Sequence, residues 1–295
     1  MSTRFRFAIV ILLLSCTTAG AQPKSVSMPS IGIIYEAEKD SLLYASGYRF
    51  LEESIGRSFS PLALDWNAFQ QRLARLNETR CKVYACNLFV PGKLKLVGPE
   101  HDQQAVLNYV DTVMRRCKLA GVKVVVLGSG EARRVPPGFD SAMARRQFIE
   151  VSGKMALLAE KHGIVIAMEN LNRSETNFGN TVLDVLMMAK EINRPGFKVT
   201  ADIYHMLRED ESPNSIRMAG QWLVHCHIAE EKERAWPGKY GEDFKPYFQA
   251  LKDIGFSGKI MLECGWKDLQ KEAPAALGYL QGQLNESYGK IEKLK

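Results

Sequence analysis

The chain is predicted to be an α/β protein, a single (β/α)8 TIM barrel, on three observations. Short apolar, β-rich runs alternate with longer stretches of helical period from residue 30 to the end of the sequence. Eight rounds of strand plus helix can be counted, and eight rounds over about 250 residues is the arithmetic of such a barrel. No linker, charge run or low-complexity segment divides the 295 residues. An open doubly wound sheet is the rival architecture, and it loses because no GxGxxG turn follows the first strand.

In chain order, residues 1–21 come before the domain. Arg4 and Arg6, the apolar run from Phe7 to Leu14, and the small residues Ala19-Gly20-Ala21 have the three-part layout of a secretory signal peptide. The barrel domain is then expected over residues 22–295. The apolar run is far shorter than the roughly 20 residues a spanning helix needs, so no stable membrane span is expected. Leu13-Leu14-Ser15-Cys16 also resembles a bacterial lipoprotein signal, with Cys16 as the lipidated residue. The well-formed small-x-small site favours soluble export, to a periplasm-like compartment, over anchoring.

The strands are expected at Ser30–Glu36, Tyr48–Ile55, Cys81–Phe89, Val122–Ser129, Ile164–Asn170, Phe197–His205, Leu223–Ala229 and Lys259–Gly265. Between them lie helical stretches such as DWNAFQQRLARLNE, AMARRQFIEVSGKMALLAEKHG and TVLDVLMMAKEIN. Several close on the Gly or Asn that helix C-termini favour. Cys81, Cys86, Cys117, Cys226 and Cys264 form no paired short spacing, so buried free thiols are expected rather than a zinc or redox motif. The net charge of +6 is scattered among acids along the helices, which argues for solubility and against a nucleic-acid partner.

In a barrel of this kind the active site lies at the C-terminal mouth, so strand ends filter the candidates. Strand five ends at Glu169, strand six reaches Asp202 and His205, strand seven holds His225-Cys226-His227, and strand eight ends at Glu263. Glu169, Asp202, His227 and Glu263 therefore form a candidate first shell for one divalent metal ion. Three oxygen ligands and one nitrogen suit manganese, magnesium or cobalt better than structural zinc. Strand alternation puts His225 and His227 on one face with Cys226 opposite, and His225 is expected one layer deeper. Glu175, His205 and Arg234 follow as candidate substrate-binding groups, and Tyr204 and Trp266 as candidate walls for a sugar face. Arg133 and Arg134 could meet an anionic group.

The segments MENLNRSE, TADIYHM, HCHIAEEKERAWPG and MLECGW resemble the xylose-isomerase-like barrel superfamily, in particular its sugar isomerase and ketose 3-epimerase branch. The resemblance covers essentially the whole mature chain. It implies one bound divalent ion, commonly manganese, on Glu169, Asp202, His227 and Glu263. The two glutamates would double as the acid/base pair, and Glu175 and His205 would hold substrate. The family's arginine usually follows the metal histidine by six residues; that position is Glu233 here, and the arginine is Arg234.

Such a site supports proton transfer at a carbon next to a carbonyl, through an enediolate. A base on each face, Glu169 and Glu263, would epimerise a ketose; one base moving the proton between neighbouring carbons would isomerise. β-Elimination by a lyase or dehydratase, glycoside hydrolysis by two carboxylates and a non-catalytic carbohydrate-binding barrel are the alternatives. The expected partner is a small carbohydrate, and export favours a free or oxidised sugar.

Overall fold

The computed structural model describes residues 27–289. The leader over residues 1–21, with Cys16, lies outside them. Eight parallel strands close into a barrel in sequence order: β1 (Ser30–Ile34), β2 (Phe50–Ser54), β3 (Lys82–Asn87), β4 (Val124–Leu127), β5 (Val165–Glu169), β6 (Phe197–Asp202), β7 (Leu223–Ile228) and β8 (Lys259–Leu262), with β8 pairing back onto β1. The α/β reading and the number of rounds are as the sequence predicts.

Around the barrel run α1 (Asp40–Ala45), α2 (Ile55–Ser58), α3 (Trp66–Asn77), α4 (Gln103–Leu119), α5 (Ser141–His162), α6 (Val182–Ile192), α7 (Ile203–Arg208), α8 (Asn214–Ala219), α9 (Lys245–Asp253) and α10 (Leu269–Tyr288). Short acidic caps start the long ones. Asp65, Asp102 and Asp140 each accept from a backbone N–H in the first turn of α3, α4 and α5. Gly163 and Asn193 close α5 and α6 in the left-handed conformation, as the helix-end residues predict. Among the described residues no helix is long and apolar enough to cross a membrane.

Strand alternation divides the interior into two packing regions. Outward residues such as Ile166, Met168, Val199, Ile260 and Leu262 join the main core beneath the helices. Ala85, Val124, Val126 and Ala167 form a separate small cluster with Tyr84 and Val224. Gly32 lets Met261 fill its part of the barrel, since a Cβ at Gly32 would overlap the Met261 sulfur.

Two register shifts interrupt the alternation. Leu51 and Glu52 of β2 face Val83 and Ala85, leaving Tyr84 as an extra residue; Val199 and Thr200 of β6 face Leu223 and His225, leaving Val224 extra. Each is a β-bulge, which re-aims the residues beyond it. Tyr84 and His225 consequently stack, with ring centroids 6.1 Å apart and planes at 20°.

Every strand is shorter than the sequence reading by one to three residues at one or both ends, and the difference at β6 bears on the site. Strand six was expected to run to His205, but β6 stops at Asp202 and α7 begins at once. The reason is local: Asp202 is the N-cap of α7, its Oδ1 accepting from the His205 backbone N–H at 3.1 Å. Four of the five cysteines named above are buried, Cys264 is half-buried, and all five are free thiols.

Candidate metal centre

The last four strands bring Glu169, Asp202, His227 and Glu263 together, with one potential ligand atom from each lying within 4.8 Å of the others. Glu169, Asp202 and His227 are buried, and the Glu263 side chain is 25% exposed. His227 Nδ1 lies 2.7 Å from Glu169 Oε1, 3.1 Å from Glu263 Oε2 and 4.0 Å from Asp202 Oδ2. The sequence-predicted set is thus one cluster.

Neighbouring groups hold each member in place. Asn170 clamps the ends of β5 and β6, its Oδ1 accepting from Asp202 N at 2.8 Å and its Nδ2 donating to Asp202 O at 3.2 Å. A Cβ at Gly128, just past β4, would overlap Glu169 Oε2, so only glycine leaves that carboxylate its position. Arg133 is fully buried and donates to the Glu169 carbonyl at 2.7 Å. Arg134 donates to the Glu175 carbonyl. The two arginines therefore brace the backbone beside the cluster and are not an anion site, a correction to the sequence reading with a plain cause: the carbonyls at the end of β5 and in its loop need donors.

Sequence reasoning missed Glu52. Its carboxylate is fully buried and takes His225 Nε2 at 2.7 Å and His227 Nε2 at 3.0 Å. Both rings donate Nε2–H to Glu52, which turns the Nδ1 of His227 toward the cluster, the nitrogen that would take a metal in exchange for its proton. His225 lies behind His227, as strand alternation predicts. Although burial opposes its charge, the two histidines hold Glu52 down to about 2. Glu52, His225 and His227 also form a group compact enough to hold an ion, but the two Nε2 atoms that face Glu52 carry the hydrogens donated to it.

The signal for Glu52 was present in the chain. Phe50–Ser54 reads FLEES, two adjacent carboxylates on a buried strand that must point to opposite faces. Glu53 goes the other way, to Arg72 and the Ala37 N–H, and Glu52 goes inward.

The electrostatics favour a cation. Burial, reinforced by Glu169, raises Asp202 well above the usual carboxylate range. Its Oδ2 is buried with no hydrogen-bond partner. Burial works against both Glu263 and the His227 ring, yet their attraction lowers the first and raises the second. An orphaned carboxylate oxygen among two more carboxylates and an imidazole fits a divalent ion with oxygen preference.

The three predicted substrate groups stand on the open side of the cluster. His205 is fully buried, and Asn172 N–H donates to its Nδ1 at 3.2 Å. That leaves Nε2–H as a donor, and Nε2 is buried without a partner, 3.6 Å from Asp202 Oδ2 and 3.9 Å from Glu175 Oε2. Burial, with Arg234 adding to it, takes His205 down to about 3. Arg234 Nη2 donates to Glu263 Oε2 at 2.8 Å, and Nη1 to Glu175 Oε1 at 3.4 Å. Its guanidinium lies 4.7 Å from the centre of the Tyr204 ring.

The loop that carries Arg234 has an unusual backbone. Glu233 and Arg234 are both left-handed, at φ 62° and 47°, and Gly265 N–H donates to Arg234 O at 3.0 Å. Glu233 is turned outward onto Lys239 Nζ and Tyr240 OH, each at 2.8 Å. Glu230 ties this loop down, its carboxylate accepting from the backbone N–H groups of Gly238, Tyr240, Gly241 and Glu242.

Fold and site together define a parallel barrel with an acid-and-imidazole cluster at its C-terminal mouth. The description of a xylose isomerase-like TIM barrel matches residues 41–283, and the chain belongs to that family. Its relatives are sugar epimerases and isomerases. It is 37% identical over 128 residues to an L-ribulose 3-epimerase of Methylomonas sp. (strain DH-1), covering 43% of this chain and 44% of that protein. It is 28% identical over 170 residues to a D-psicose 3-epimerase of Ruminiclostridium cellulolyticum, covering 56% and 57%. The chain spans about half the length of the curated relatives it matches.

The fold is shared more widely. A D-psicose 3-epimerase structure from Clostridium cellulolyticum H10 superposes with TM-score 0.76 at 22% identity, covering 86% of this chain and 99% of that one. A 3-keto-D-glucoside 4-epimerase from E. coli superposes with TM-score 0.72 at 20% identity, covering 86% and 99%.

Proposed function

We propose that this protein is a divalent-metal-dependent sugar isomerase or epimerase that moves a proton at a carbon next to a carbonyl. The observation that carries the reading is the convergence of Glu169, Asp202, His227 and Glu263, with Asp202 Oδ2 unpartnered. Those four residues hold the ion, and manganese is the best match to three oxygens and one nitrogen. A bound ion supplies Lewis-acid polarisation of the sugar carbonyl and offsets the charge that develops on its oxygen. Glu169 and Glu263, from β5 and the end of β8, serve as acid and base, one removing the proton and the other returning it. His205 donates from Nε2–H to a sugar oxygen, and Glu175 and Arg234 fix the hydroxyls on the open side. The names of the relatives, ketose 3-epimerases and an inosose isomerase at 25% identity, support an enediolate route over hydrolysis.

Export through the leader at residues 1–21 is part of the proposal and makes a free or oxidised sugar the substrate. The test is a panel of free ketoses and 3-keto sugars incubated with manganese-loaded protein in deuterated water. Deuterium at one sugar carbon is the expected result. Turnover of a sugar without deuterium entering any carbon contradicts proton transfer.

A further inference from the structure

The mouth of the barrel is larger than the cluster needs. One cavity of about 500 Å³ is lined by Gly128, Glu169, Glu175, Arg234 and Glu263. A second, of about 430 Å³, opens on the other side of Glu263 and is lined by Tyr35, Glu36, Arg57, Cys264 and Trp266. The two share Ser54, Asn87, Leu88 and Glu263 as walls. Each is within the range of about 300–1,000 Å³ typical of small-molecule sites, so the pair exceeds what one sugar ring requires.

Leu88 stands where the cavities meet, and its state is unusual. It is a leucine in the left-handed region, at φ 51°, with its side chain 64% exposed. Positive φ strains a residue with a Cβ, and exposure forgoes the burial that would offset it. Strain of this kind concentrates where a surface waits for a ligand.

The second cavity also has a readable chemistry. Trp266 and Tyr35 line it, and aromatic rings suit the C–H faces of a pyranose ring. Asn87, Glu36 and Arg57 offer planar polar groups suited to hydroxyls. Arg57 is the cavity's one lining cation, and it is already engaged, 3.3 Å from Glu36 and 3.6 Å from Glu53, while Glu52, Glu53 and Glu263 are held by His225 and His227, by Arg72 and by Arg234. A phosphate or carboxylate would find no unengaged cation among the lining residues.

We propose that this cavity is a second subsite, which takes the neutral glycosidic substituent of a ketose or oxidised sugar whose reacting ring lies at the metal centre. The assignment rests on the sugar isomerase or epimerase reading above, and it narrows the substrate class from a free or oxidised sugar to a glycoside or disaccharide.

The full-length, manganese-loaded protein is titrated calorimetrically with D-fructose, with the ketose disaccharides isomaltulose and lactulose, and with D-fructose 6-phosphate. At least one disaccharide is expected to bind about ten-fold tighter than D-fructose, and the phosphate weaker than D-fructose. Leu88→Gly removes the side chain while tolerating the backbone, and Trp266→Ala removes the aromatic face; each is expected to close the gap between disaccharide and D-fructose. Disaccharides binding no tighter than D-fructose, tighter binding of the phosphate, or variants that weaken all sugars equally would overturn the subsite.

Solvent-deuterium exchange on the same samples separates the two claims. Exchange into D-fructose without a disaccharide preference sinks the subsite and leaves proton transfer standing. A disaccharide preference with no exchange into any sugar leaves the subsite and sinks proton transfer. Binding of none of the four probes overturns both.

Discussion

The two halves of the barrel mouth are built differently. Strands β5 to β8 carry Glu169, Asp202, His227 and Glu263 at or beside their C-terminal ends, four groups that converge. Strands β1 to β4 end in or beside Ile34, Ser54, Asn87 and Gly128, and the acids near them, Glu36, Glu52 and Glu53, are engaged by Arg57, by the two histidines and by Arg72. One half carries the chemistry, and the other carries room and support. The support reaches across the barrel: Glu52, on β2, fixes the imidazole of β7, and Gly128, after β4, makes way for the carboxylate of β5. A cluster with three carboxylates tolerates few further acids at the same level, so the second half must be served from beneath and from the side.

Variants in each half test this division of labour. The largest effect is expected in the chemical half: Asp202→Asn lowers sugar deuterium exchange on the order of 10³-fold, read by NMR, because the proposed ion would lose a charged oxygen ligand. Gly128→Ala comes next, although it lies in the supporting half. The added methyl displaces the Glu169 carboxylate, and activity falls about 10²-fold with thermal stability near wild type, read by turnover and calorimetry. Glu52→Gln is expected to weaken manganese binding about 10- to 100-fold, measured by competition with a metal indicator, since His227 loses the partner that sets its tautomer. Unchanged affinity in Glu52→Gln would mean that the halves are independent. The smallest effect is expected for Asn172→Ala, which frees the His205 ring and raises KM about five-fold with little change in kcat.

The same division explains what was legible in the chain. Strand ends announce themselves, because an apolar run that stops at an acid or histidine is visible without a structure; Glu169, Asp202, His227 and Glu263 are all of this kind. Glu52 is not. It lies inside β2, 173 residues before His225, and its partner is set by closure of the barrel and by bulges at Tyr84 and Val224 that no periodicity predicts. Arg133 reads as a loop cation because its acceptors are backbone carbonyls, which have no sequence signature. The overlong sixth strand has the same origin: Ile203-Tyr204 is β-rich in type, but the cap at Asp202 turns it into a helix.

The arginine offers the opposite lesson. Its place at residue 234 departs from the spacing the resemblance implies, and in this chain two consecutive left-handed residues, Glu233 and Arg234, carry a guanidinium that reaches Glu263 and Glu175.

Metal stoichiometry tests the metal centre most directly. Native mass spectrometry of protein purified without chelator and loaded with manganese should give about one ion per chain for the wild type and none for Asp202→Asn. No bound ion in the wild type, or the same stoichiometry in both proteins, would contradict a metal centre at the ends of β5 to β8.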